Sequence, residues 1–260
     1  MAFLRGRGRV VCQCVVVWIV AYGGGQVAGQ GTAKPWCRPV EIPKEEAELG
    51  QVYYVLPTTE PQVTFHVRAK YAEFKGVTHA TEGYFVLPKD DSRTAGTGLA
   101  GKFCLPIASL DSGDETRDLF LETNFWLDSD KFPEILFKLT KVRRAREIKK
   151  SRASTLYGAF LEGEMTISGH TKPMTLSTRI TLMPSRSEAD KTARGDRMRI
   201  RADFPIDLLD FGIVGQDMFL KTGRMTMKFM IKVDLVLSTL RPKRPERRPI
   251  PLPRPEKTTP

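Results

Sequence analysis

The sequence predicts an all-β fold, and three observations carry that prediction. Between residues 50 and 240, long stretches alternate apolar and polar side chains with a period of two. Turn-forming Gly, Pro, Asp and Ser residues separate these stretches. No long helical period lies between them, which excludes the strand–helix winding of a parallel sheet. Long alternating strands joined by turns form an antiparallel barrel or sandwich.

The elements follow in order. Residues 52–56 form a first candidate strand. Next, Val63, Phe65, Val67 and Ala69 alternate with Thr64, His66, Arg68 and Lys70, and a Phe74-Lys75-Gly76 turn leads into a return strand over 77–87. Residues 101–108 and 134–142 are further strands. Between them a short helical insert is predicted at Asp114–Thr123, with Asp114 as cap and Leu119 and Phe120 facing inward. Ala159, Leu161, Gly163, Met165 and Ile167 then alternate with polar residues and Phe160, as do Met174, Leu176, Thr178, Ile180 and Leu182 with a polar set. Met198, Ile200, Ala202, Phe204 and Ile206 interleave with Arg197, Arg199, Arg201 and Asp203. The last strand runs from Met225 through Met227, Phe229, Ile231, Val233 and Leu235 to Leu237.

Strands of about 10 to 15 residues exceed the usual length of about 5–6, and a barrel of about eight such strands can enclose a small ligand. The inward face is rich in Met and Phe, which suit an irregular interior. Candidate lining residues are Phe65, Val67, Phe85, Phe103, Leu105 and Phe137 from the first half. Leu161, Met165, Ile167, Met174, Leu176, Ile200, Phe204, Met225, Met227, Phe229 and Ile231 complete the set. The pattern alone fits a solid core equally well.

The chain's formal charge of +11, from 41 Lys plus Arg against 30 Asp plus Glu, sits away from this body. Residues 1–29 carry Arg5, Arg7 and Arg9 and no acid; residues 241–260 carry seven bases against two acids. Residues 141–152 add seven bases against Glu147 alone, and what remains is slightly acidic. Nucleic acid is thus not an expected partner, because aromatic residues are not interleaved with these bases. The 141–152 segment reads as a solvated hairpin loop, or as a contact with anionic lipid head groups.

Residues 1–29 read as a secretory signal: the arginines precede an apolar run over 10–22 and small residues at Ala21-Tyr22-Gly23 or Val27-Ala28-Gly29. Residues 30–49 read as a linker, and 241–260, with seven of the 18 prolines, as an extended, disordered tail. Export would remove Cys12 and Cys14, leaving Cys37 and Cys104 to form one disulfide or stay as two thiols. A bond between them would close a loop of about 67 residues, worth on the order of 4 kcal/mol.

Catalytic chemistry is not legible. His66, His79 and His170 have no metal-ligand spacing, and Glu162 and Glu164 fall on a wet face without pairing as acid and base. No enzyme activity, metal or cofactor is expected, and the oligomeric state is not readable.

Short motifs nevertheless recur in a familiar order. They are Ser109-Leu110-Asp111-Ser112-Gly113, the Arg117-Asp118 pair, and Phe125-Trp126 followed by Phe132-Pro133-Glu134-Ile135 and Phe137. Gly169, Thr171-Lys172-Pro173-Met174 and Asp210-Phe211-Gly212 come after them. This order resembles the YceI-like family of exported, lipocalin-like proteins over roughly residues 50–238. The resemblance implies an extended, non-catalytic antiparallel barrel that holds a polyisoprenoid or other long-chain lipid. The chain departs from the family where Glu60-Pro61-Gln62 replaces a His-Ser pair, where Leu119-Phe120 stands in place of a histidine, and where Leu209 replaces an arginine. Arg117 and Asp118 are then the candidate polar groups at the cavity mouth, or an ion pair that pins the helical insert. A different reading makes the barrel a scaffold for an extracytoplasmic interaction module that uses the basic loop and tail.

Overall fold

The computed structural model describes residues 40–71, 73–88, 99–215 and 226–242. The signal at 1–29, Cys37, Met225 and nearly all of the 241–260 tail lie outside the described residues.

Eight antiparallel strands close into a barrel. In spatial order they are β1 (Gly50–Val55), β4 (Glu82–Pro88), β5 (Ala100–Pro106), β6 (Glu134–Lys150), β7 (Thr155–Ile167), β8 (His170–Met183), β9 (Arg197–Asp207) and β10 (Lys228–Ser238). β10 returns to β1 through Tyr54↔Ser238 and Val55↔Leu237. Closure removes the free edges that an open sheet of this length would expose. A hairpin of β2 (Val63–Arg68) and β3 (Glu73–Thr78) continues the wall beyond β1, with β2 paired to residues 229–233 of β10. β1 and β2 therefore occupy successive lengths of one β10 edge.

Gln62 bridges the break between them. It is almost fully buried, its side-chain amide donates to the Leu56 carbonyl at 3.0 Å, and its Oε1 accepts the Thr81 N–H at 2.7 Å. Buried backbone groups need such partners where a ladder is interrupted.

The period-two pattern translates directly into burial. On β9 and β10 the apolar residues other than outward positions such as Met230 point in, and the arginines, lysines and Asp234 point out. Several local expectations change. Residues 77–87 are not one strand: a turn at 79–81, which includes His79, separates β3 from β4, and Phe74-Lys75-Gly76 is strand rather than turn. There Gly76 lies opposite Phe65 and leaves room for its ring. Most of the basic segment is not a loop: residues 141–150 are the second half of the 17-residue β6, with register shifts between Leu139 and Lys141, Arg143 and Arg146, and Glu147 and Lys149, and only Ser151 and Arg152 lie beyond it. His170 opens β8 instead of sitting in a turn.

Two short helices close on the barrel. α1 (Lys44–Glu48) packs outside it beside a cluster of Tyr84, Val86 and Ala100 with Val40, Ile42, Val52 and Tyr54. The Tyr84 hydroxyl donates to Glu46 at 2.6 Å; burial first, and then this bond, push its pKa well above the ordinary value. α2 (Glu115–Glu122) is capped by Asp114, whose side chain accepts the Arg117 N–H. Its inward residue differs from the sequence reading. Leu119 and Phe120 are 65 % and 37 % exposed, whereas Leu121 is 2 % exposed and joins Trp126 and Leu127 over one end of the barrel. With only two turns of helix, one stripe reaches the core, and the 121/126/127 spacing of helix plus following turn sets it. A third helix, α3 (Glu188–Arg194), lies in the β8–β9 connection at the other end.

Candidate functional site

The barrel interior holds an apolar cavity of about 160 Å³. Phe103, Leu105, Ile135 and Phe137 of β5 and β6 form one wall; Leu161, Met165, Ile167 and Leu176 of β7 and β8 form the next. Ile200, Phe204, Phe229 and Ile231 of β9 and β10, with Phe65 of β2, complete the ring. Leu110, Leu121, Leu127 and Leu208 close the end, as the helical insert and the 208–211 turn fold over it. The alternation places these side chains inside because neighbouring residues on each strand must face water.

A second space of about 270 Å³ lies further along the same strands, lined by Phe85, Leu87, Leu99, Val142, Ala145, Glu147, Tyr157, Ala159, Ile180 and Leu182. β7 shows that the two follow one another: Ile167, Met165 and Leu161 face the first, Ala159 and Tyr157 the second.

Twelve of the seventeen residues predicted to line an interior face the first cavity: Phe65, Phe103, Leu105, Phe137, Leu161, Met165, Ile167, Leu176, Ile200, Phe204, Phe229 and Ile231. Phe85 lines the second. Val67 and Met227 are buried in the core without bordering the first cavity, and Met174 is a half-buried residue packed against that core. Met225 lies outside the described residues.

The polar candidates serve the helical insert instead of the cavity. The Arg117 guanidinium stands 4.3 Å over the Phe74 ring and donates to the Ser112 carbonyl at 3.3 Å and to Asp114 at 3.4 Å. The Asp118 carboxylate accepts the Ser112 N–H at 2.9 Å. Neither residue lines the cavity. Cys104 is held in a disulfide, and every other cysteine of the chain lies outside the described residues.

Two threonines supply the hydroxyls of the first cavity. Thr178 Oγ1 donates to the Ala159 carbonyl at 3.0 Å, while Thr81 Oγ1 is buried with no partner among the described residues. The sequence reading left Thr81 unremarked inside a 77–87 strand; the structure places it in the turn between β3 and β4. The outward histidine is accounted for: His66 Nε2 lies 2.8 Å from Glu73, whose pKa is held low by the hydrogen bond and charge of Arg68. Among the described residues, no group of three His, Cys, Asp or Glu side chains is arranged to hold a metal ion.

The YceI-like domain model matches residues 54–237. Among solved structures, BcnA of Burkholderia cenocepacia is 15% identical, with 74% of this chain and 97% of that one covered at a TM-score of 0.48. The YceI protein of Campylobacter jejuni is 14% identical, with 65% and 86% covered and a TM-score of 0.46. A polyisoprenoid binding domain from Saccharophagus degradans, implicated in plant cell wall breakdown, is 9% identical, with 72% and 98% covered and a TM-score of 0.47. No curated protein matches the chain. With the family model spanning nearly the whole barrel, the chain belongs to the YceI-like domain family.

Proposed function

We propose that the barrel binds, stores or carries a polyisoprenoid or another long-chain lipid, lying lengthwise through the two adjoining cavities. One observation carries this reading: an interior space walled by aliphatic and aromatic side chains from β2 and from β5 through β10, with only two hydroxyls in its wall. Such a wall offers no set of polar groups to select a sugar, nucleotide or amino acid. An apolar chain, by contrast, gains about 0.8 kcal/mol for each CH₂ it removes from water, before ordering costs. Binding by area needs no catalytic group, and the protein is read as a carrier and not an enzyme.

The same reading places the protein outside the cytoplasm, in a periplasmic or secreted setting. The disulfide at Cys104 supports this, since such bonds persist in oxidising compartments. N-terminal sequencing of the protein from extracytoplasmic fractions checks it; an unprocessed chain confined to the cytoplasm overturns it.

The lipid reading is tested by extracting purified protein with organic solvent and identifying what is released by mass spectrometry. The expected result is one apolar long-chain compound per barrel. A protein that releases none, and takes up no added polyprenol from ethanol solution, overturns the proposal.

A further inference from the structure

Strand register gathers bases that lie far apart in sequence onto one outer face. Arg146 of β6 pairs with Gly158 of β7, Gly158 with Arg179 of β8, and Arg179 with Arg201 of β9. At about 4.8 Å between strands, this row crosses some 14 Å of sheet. The next row holds Lys149, Leu156, Thr181 and Arg199, and on the other side Arg143 pairs with Phe160. The acids nearest these rows are engaged: Asp234 takes Arg199 and Arg201, and Glu162 takes Arg143. Arg146 and Arg179 have no ion pair among the described residues.

Apolar groups stand among these bases. Phe160 is 37 % and Ile148 52 % exposed, and Ile148 lies over Gly158, where a side chain would meet its Cδ1 at 3.0 Å. On the inner side of the same strands, Ala145, Tyr157, Ala159 and Ile180 line the second cavity. The wall that is basic outside therefore borders the second cavity inside, whose lining is apolar apart from Glu147 and Tyr157.

We propose that this face of β6–β9 docks the protein on an anionic lipid bilayer, with Phe160 and Ile148 entering the interface and the arginines meeting the head groups. Charge complementarity selects an anionic surface, and the interleaved apolar side chains favour a bilayer over a nucleic acid, where they would gain little. Where the docked barrel takes up its ligand, the second cavity is the nearer space; that step rests on the lipid-carrier reading.

The test uses the full chain, vesicles of equal phosphatidylglycerol and phosphatidylcholine, vesicles of phosphatidylcholine alone, and duplex DNA. Wild type should sediment with the anionic vesicles only. The double substitution R146E/R179E should lower that partition at least a hundredfold, given about fivefold for each base near such a surface and the reversal of sign. R146Q/R179Q, checked for an unchanged thermal midpoint, should lower it by about 25-fold, and F160A by a smaller factor. Truncation after residue 242 should retain most of the binding. The proposal is overturned if the arginine variants bind like wild type, if neutral vesicles bind equally, if truncation abolishes binding, or if DNA competes the protein off the vesicles. Polyprenol uptake from ethanol solution is measured in parallel: R146Q/R179Q should load normally there and slowly from anionic vesicles. Vesicle binding without any loading would sink the carrier reading alone, and loading without vesicle binding would sink the docking face alone.

Discussion

The ring of Phe65 occupies the space above Gly76, its direct cross-strand partner, and reaches from there to Phe74 and Phe229. Its centroid lies 6.4 Å from that of Phe74, edge to face, and 6.3 Å from that of Phe229, nearly stacked. A methyl group on residue 76 would overlap the Phe65 ring. Gly76→Ala should therefore destabilise the protein by about 1–3 kcal/mol, the usual cost of overpacking. Adding Phe65→Leu should recover part of this loss, because the two positions couple. Urea denaturation of the single and double variants measures the coupling; strictly additive effects would contradict the packing described.

Gln62→Ala should cost more than a surface change. It strands the Leu56 carbonyl and the Thr81 N–H, each worth about 1–3 kcal/mol when left buried and unpaired. Hydrogen exchange at the Thr81 amide should accelerate while exchange in β7 and β8 changes little.

Thr81→Val tests the opposite case. The hydroxyl it removes has no partner among the described residues, so burying it carries a cost that the isosteric apolar side chain avoids. The thermal midpoint of lipid-free protein should rise or stay level. A clear fall would show that the hydroxyl is engaged.

Filling the cavities should separate binding from folding. Met165→Trp occupies the first space and is expected to lower polyprenol uptake at least tenfold, with a stability change of no more than about 1–3 kcal/mol. Ala159→Phe obstructs the second space and should shift the preference toward shorter chains. Competition between short and long polyprenols, read by mass spectrometry, distinguishes these outcomes.

Asp234 makes one arm of stability acid-sensitive. Burial works to raise its pKa, but hydrogen bonds and charge from Arg199 at 2.6 Å and Arg201 at 3.0 Å hold it below the ordinary 3.8. A carboxyl depressed on folding contributes stability above its unfolded pKa and loses it as pH falls through the folded value. The stability gap between wild type and Asp234→Asn should thus be full near pH 6 and shrink steadily below about pH 4. All three groups are partly exposed, so the gap should be modest and fall with added salt. Denaturation curves over that range read it directly.

Much of the barrel was legible because alternation is a one-dimensional signal. A residue's side of a strand follows from counting, so Leu161, Met165, Ile200 and Phe204 could be assigned inward without knowing their neighbours. Counting fails where the strand is bulged or the element is short. The 141–152 bases looked like a loop because three register shifts in β6 break the period. Leu119 and Phe120 looked buried because two turns of helix do not show which stripe meets the core. Arg117 and Asp118 were readable as a motif, but their partners, Phe74 and Ser112, come from a different strand and from the preceding loop.

The sequence by itself determined the strand class, the inward face and the membership of most lining residues, since these depend on local periodicity and turn chemistry. Only the tertiary structure decided that the inward faces leave an open space, that Gln62 stitches the broken wall, and that Arg146, Arg179 and Arg201 share a row. These facts depend on closure and register between strands up to dozens of residues apart, and no local pattern encodes how far one strand slides against the next.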